Sequence, residues 1–223
     1  MKTVLSTKVL SPSQKELLLN AKVGFVEYNA IHILFPDVAI PLEEHHFIFT
    51  SKNAVKVFIN AIQKASKDRS VYQCYCVGDK TRAFLEEEEL AVVETARNAH
   101  ELAEEIIKNH KTNRFIYISG NLRRNELPER LSNHNVWYDE VIGYETQLKP
   151  KPFLQHFDGV LFFSPSGIRS YTEANPTPKS PAFCIGETTA EAAKPHFDTI
   201  IIANRPTTEN VLVQTIKFFN QND

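Results

Sequence analysis

Several short stretches of this chain place small hydroxyl residues and glycines where an apolar run ends, a pattern suited to holding an anion. LFFSPSGI (161–168) reads as a buried strand, Leu161 to Phe163, that stops in the turn Ser164-Pro165-Ser166-Gly167 and starts a helix. A helix N-terminus exposes backbone N–H groups, and Ser164, Ser166 and Gly167 sit beside them as further donors or open backbone. FIFTSKNA (47–54) has the same form, with Thr50 and Ser51 in the turn. CVGDKT (76–81) and CIGETT (184–189) put Thr81, Thr188 and Thr189 shortly after a glycine, and Ser119, Gly120 and Asn121 close another apolar run. Each hydroxyl also has a plainer reading as a helix N-cap. No nucleophile stands beside a base at a spacing that marks covalent catalysis.

The elements that must position these turns are duplicated. Phe49-Thr50 falls on Phe163-Ser164 at an offset of 114, and Gly78 on Gly186 at an offset of 108. At the second offset Val92-Val93 falls on Ile200-Ile201 and Arg97 on Arg205. Each copy therefore runs strand, loop, helix three times, with KASKDRS (64–70) as a surface loop that lengthens the first copy. A period of this length means two copies of one α/β unit, not a solenoid.

The flanks complete the reading. Lys2 to Ser6 forms a strand with Ser6-Thr7-Lys8 as its exit, and Ser11-Pro12-Ser13 supplies an N-cap and first-turn proline for a helix through Asn20. Residues 23–35 read as extended, as do residues 136–148. RFIYISGN (114–121) is a strand and loop followed by a helical stretch over 122–131, a fourth unit that the second copy lacks. The N-terminal strand-helix-extended segment supplies it. The expected organisation is an α/β fold of two similar lobes, each a mostly parallel sheet flanked by helices. Residues 1–30 plus 150–223 form a discontinuous lobe, 40–135 an inserted one, and 31–39 and 136–149 two linker strands that leave a cleft at the strand ends.

Composition excludes several classes. A net charge of −2 with mixed signs leaves no basic footprint for nucleic acid. No apolar run approaches the roughly 20 residues of a membrane span, and the first ten residues do not read as a signal peptide. The expected location is the cytoplasm. Cys74, Cys76 and Cys184 read as reduced core thiols, and the eight histidines lack ligand spacing, so no protein-bound metal is expected.

FIFTSKNAV, CVGDKTRAFL, ISGNLRRNELPERL, VIGYET, FFSPSG, CIGETTAEAA and PTTENVL resemble, in order, the motifs of the uroporphyrinogen-III synthase family. The resemblance spans nearly the whole chain, and its specificity lies in order and spacing. It implies two α/β lobes joined by a β-ladder and, without a cofactor, the cyclisation of hydroxymethylbilane, a linear tetrapyrrole with eight carboxylates. It further implies a monomer acting on a small molecule. By the VIGYET motif the general acid falls on Tyr144, whose plainer reading is a packing tyrosine. Many members carry an arginine after the first strand, so here that carboxylate contact falls to Lys8. The substrate-binding set is then Lys8, Thr50, Ser51, Thr81, Ser119, Gly120, Asn121, Ser164, Ser166, Gly167, Thr188 and Thr189. Arg123 and Arg124 lie in the expected helix and could pair with substrate acids. The alternative class is a non-catalytic two-lobed binding protein or sensor. A nucleotide-using transferase is disfavoured, because neither copy carries G-x-G-x-x-G or a P-loop lysine.

Overall fold

The computed structural model describes residues 1–175 and 180–221. In chain order the first elements are β1 (Thr3–Ser6), α1 (Pro12–Asn20), β2 (Gly24–Glu27) and β3 (Ile31–Leu34). Next come β4 (His46–Phe49), α2 (Lys52–Ala65), β5 (Gln73–Val77), α3 (Asp79–Glu87), β6 (Ala91–Ala96) and α4 (Ala99–Asn109). Then β7 (Phe115–Gly120), α5 (Glu126–Asn133) and β8 (Tyr138–Leu148) follow. The chain finishes with β9 (Gly159–Phe162), α6 (Pro165–Ala174), β10 (Ala182–Cys184), α7 (Glu187–Ala193), β11 (Ile200–Ile202) and α8 (Thr208–Gln221). The class is mixed α/β with mostly parallel sheets flanked by helices, as the sequence implies.

Two compact units result, Met1–His32 with Gln147–Asp223, and Ile33–Thr146. The discontinuous unit holds the sheet β11-β10-β9-β1-β2, in which β1 pairs in parallel with both β9 and β2. The N-terminal segment thus completes the sheet that β9, β10 and β11 begin. The second sheet has the order β3-β8-β7-β4-β5-β6, with parallel ladders from β8 through β6. Parallel sheets need cover on both faces, and each sheet has it. Leu18 of α1 and Val211, Leu212 and Phe219 of α8 lie in the core on one face of the first sheet. Ile168 and Tyr171 of α6 and Ala190 and Ala193 of α7 lie in the core on the other. In the second sheet, Val55, Phe58, Ile59 and Ile62 of α2 lie in one core, and Leu102 and Ile106 of α4 with Leu127 and Leu131 of α5 in the other.

Local signals account for the boundaries. Ser11 caps α1 through a reciprocal box with Gln14, and Pro12 occupies the first turn. Ser66 ends α2 in the left-handed region. Three expectations need correction. The extended stretch 23–35 is two strands, because β2 ends one sheet beside β1 and β3 ends the other beside β8. The surface loop over 64–70 is narrower, since α2 runs to Ala65 and Arg69–Val71 forms a 3-10 turn capped by Asp68. The helix placed over 122–131 starts only at Glu126, because Arg123 bonds back to Gly120 through its backbone and to Glu140 through its side chain.

Candidate functional site

In an open parallel sheet, a crevice opens at the carboxyl ends of two neighbouring strands from which the chain departs in opposite directions. In the discontinuous unit those strands are β1 and β9. Thr7, just past β1, donates its N–H (3.1 Å) and its Oγ1 (2.7 Å) to the Leu161 carbonyl. Ser164 caps α6 by accepting the Gly167 N–H at 3.1 Å. Gly167 lies against Thr7, whose Oγ1 is 3.4 Å from where a Cβ would stand. The Lys8 ammonium lies 5.3 Å from the Phe163 ring centroid and donates to Thr208 Oγ1 at 3.4 Å. No carboxylate pairs with it among the described residues. Lys8, Ser164, Ser166 and Gly167 are therefore brought together. On the next strand, Gly186 opens α7 with no capping side chain. Thr188 is exposed, whereas Thr189 is buried and donates its N–H to the Gly186 carbonyl at 3.0 Å.

In the inserted unit the strands that diverge are β4 and β7. Thr50 Oγ1 lies 3.2 Å from the Tyr117 hydroxyl, and Ser51 caps α2 by accepting the Asn53 N–H at 3.1 Å. Gly78 opens α3 at φ 85°, a conformation that favours glycine, again without a capping side chain. Thr81, three residues on, is buried.

The end of β7 behaves differently from the expectation that it offers free donors. The buried Ser119 hydroxyl donates to Glu140 Oε1 at 2.6 Å. Arg123 grips the same carboxylate with Nε at 2.6 Å and Nη2 at 2.7 Å, and also donates to Asn125 Oδ1. The Arg123 hydrogen bond, helped by Ser119 and opposed by burial, holds the Glu140 carboxyl below its ordinary pKa. Asn121 donates its N–H to the Tyr144 carbonyl (3.2 Å) and accepts the Thr146 N–H at its side-chain oxygen (2.8 Å). Half-buried Tyr144 lies over Gly120. Arg124 is exposed.

Thr7, Phe163 and Thr208 around Lys8, Tyr117 beside Thr50, and Glu140 against Ser119 and Arg123 were not singled out from sequence as site residues. Thr208 stands within the PTTENVL motif, whereas Glu140 is one of three acids in an alternating extended run, and nothing in its spacing sets it apart. Cysteine chemistry is disfavoured: all three thiols are buried and free, and burial pushes Cys74 and Cys184 up to about 12. Among the described residues there is no cluster of three or more metal-ligating side chains, and no helix long and apolar enough to cross a membrane.

Residues 25–212 match the family HEM4, described as uroporphyrinogen-III synthase HemD. No curated protein matches the sequence. Among solved structures, uroporphyrinogen-III synthetase from Helicobacter pylori is similar at 18% identity and a TM-score of 0.70, over 98% of this chain and 100% of that one. A mutant uroporphyrinogen III synthase from the extremely thermophilic bacterium Thermus thermophilus is similar at 13% identity and a TM-score of 0.72, over 100% of both chains. At these identities the likeness carries the fold.

Proposed function

The chain belongs to the uroporphyrinogen-III synthase family, lyases of tetrapyrrole synthesis, and from that premise we propose that it cyclises hydroxymethylbilane with inversion of ring D. The hydroxyl of the bilane leaves as water, taking one proton and leaving an azafulvene cation. The substituted α-carbon of ring D attacks that cation to give a spiro-pyrrolenine, which fragments and recloses with ring D reversed. The chemistry asks the protein to protonate a leaving hydroxyl, hold acid side chains and fold a flexible chain.

The observation that carries this reading is the Lys8 ammonium, which lies beside the N-terminus of α8 without a carboxylate partner among the described residues. It can meet a substrate acetate or propionate without first breaking an internal ion pair. Thr188 and Ser166, neither of them fully buried, add hydroxyl donors in the first turns of the neighbouring helices α7 and α6. Thr189 shapes the turn beside Thr188, and Thr50, Ser51 and Thr81 shape the corresponding turns of the inserted unit. Tyr144 donates the proton, or a hydrogen bond, to the departing hydroxyl. Ser119 and Asn121 act through the strand they hold and not as donors to substrate.

The test supplies enzymatically generated hydroxymethylbilane and resolves the uroporphyrin isomers after oxidation. Isomer III in excess is the expected product. Isomer I alone, as in a protein-free control, overturns the proposal.

A further inference from the structure

β8 is not a regular strand, and its irregularity decides which face of the sheet Tyr144 occupies. Side chains alternate between faces along a strand, so residues three apart point to opposite sides. Tyr138 packs with the core under α4 and α5, and Val141, three residues on, with the core under α2 and α3. Regular alternation would return Tyr144 to the first of these faces. It packs instead with the same core as Val141. The cause is a shift in the β7–β8 ladder: Ser119 pairs with Ile142 and Gly120 with Tyr144, so Gly143 is an extra residue. A bulge of this kind re-aims the side chain that follows it.

Both glycines at the shift are there for space, since neither has positive φ. A Cβ on Gly143 would stand 2.9 Å from Ile118 Cγ2 and 3.0 Å from Val57 Cγ1. A Cβ on Gly120 would stand 2.5 Å from two ring carbons of Tyr144 and 2.9 Å from its hydroxyl. The phenol thus rests directly on the backbone of Gly120 at the carboxyl end of β7. The strand is pinned on either side of the bulge, before it by Ser119 and Arg123 on Glu140, and after it by Asn121 on the backbone of Tyr144 and Thr146.

We propose that the Gly143 bulge and the bare backbone of Gly120 form a seat that sets the Tyr144 hydroxyl for proton donation, which makes Gly120 and Gly143 positioning residues of the reaction. This rests on Tyr144 being the acid. In Gly120→Ala the hydroxyl is retained but displaced.

The experiment measures kcat, KM and the thermal midpoint for the full chain and for Gly120→Ala, Tyr144→Phe, Tyr144→Ala and the two doubles that combine Gly120→Ala with each tyrosine change. Gly120→Ala is expected to lower kcat roughly 10- to 100-fold with KM within about threefold, as a misplaced group does. Added to Tyr144→Phe, it costs less than about threefold more, because no hydroxyl remains to misplace. It also lowers the midpoint by about 4–8 °C alone and by almost nothing beside Tyr144→Ala, where the ring's space receives the methyl. Should Gly120→Ala alone fail to fold, folding of its double with Tyr144→Ala supports the seat. Equal midpoint losses in both backgrounds overturn the seat, and multiplicative kcat losses with Tyr144→Phe overturn its catalytic role. Full activity of Tyr144→Phe sinks the acid reading and the catalytic claim with it, while the midpoint coupling still decides the seat.

Discussion

Where β1 ends at Ser6, the next turn delivers Lys8 with its charge unspent. Where β7 ends at Gly120, the next turn delivers Arg123 with its charge fully spent on Glu140. The other loops of the two units repeat one another, with hydroxyl-capped helices after β4 and β9 and glycine-opened helices after β5 and β10. The strands that complete each sheet are what differ. The β1–β2 ladder closes in regular register at Ser6 and Glu27, whereas the β7–β8 ladder runs through a bulge to Gly120 and Tyr144. The duplication supplies two similar sets of anion-compatible turns. The completing strands then make one a cationic corner and the other a rigid mount for a phenol.

The largest effect expected from breaking this contrast comes from Glu140→Ala. It leaves the Arg123 guanidinium and the Ser119 hydroxyl without their acceptor, in a pair whose side chains keep 27% and 21% exposure. Partial solvent access trims the cost of orphaning a buried ion, so about 2–3 kcal/mol is expected, or roughly 4–12 °C in thermal midpoint. The pH dependence has a definite sign. The folded carboxyl of Glu140 lies below its ordinary value of 4.5, so its stabilisation is present above that pH and is lost as acid carries the pH through the folded value. Glu140→Gln should therefore flatten the fall of the midpoint below about pH 4.5. A fall as steep as in the unaltered protein would show that the pair contributes nothing.

A smaller and different effect is expected from Lys8→Met. Removing a cation that no carboxylate pairs among the described residues touches little inside the fold, so the midpoint should hold within about 2 °C while KM rises about tenfold, some 1.4 kcal/mol. Added salt should raise the KM of the unaltered protein and affect the variant less. Unchanged KM with a large loss of midpoint would make Lys8 a packing residue and dissolve the contrast with Arg123.

The smallest effect is a gain. Tyr28 follows β2 and packs edge-on against Phe153, and its buried hydroxyl has no hydrogen-bond partner among the described residues. Burial pushes its ionisation upward. Tyr28→Phe removes an unsatisfied polar atom and should stabilise by about 1 kcal/mol, a midpoint rise of about 2–4 °C. A loss instead would reveal that the hydroxyl is satisfied by bound water.

The parallel strands and their helices were legible because buried runs such as 161–163 and capping residues such as Ser11, Ser51 and Ser164 act locally. Lys8 was reached by resemblance, but its neighbours Phe163 and Thr208 lie far along the chain and meet it only through sheet order. Ser119 and Asn121 were read as donors because their types suit that role. Their hydrogen bonds to β8 depend on register, which residue types do not reveal. Gly143 was the overlooked clue: a glycine inside a strand marks a bulge or a close approach, and here it marks both. The start of α5 was misjudged because Arg123 favours the helix by propensity and is recruited by a carboxylate 17 residues away.

The pairing of β1 with β9 also sets a schedule for the ribosome. Thr3 donates its N–H to Asp158 across 155 residues of sequence. At about 5–20 residues per second, Val4 and Leu5 wait on the order of ten seconds for the strand that covers them. Two strands alone bury too little to hold during that wait. The unit Ile33–Thr146, by contrast, is complete once its last residue emerges. The nascent chain therefore carries a finished inner domain between a leading segment with Val4 and Leu5 uncovered and its unmade partner. That leading segment is where a chaperone would be expected to bind.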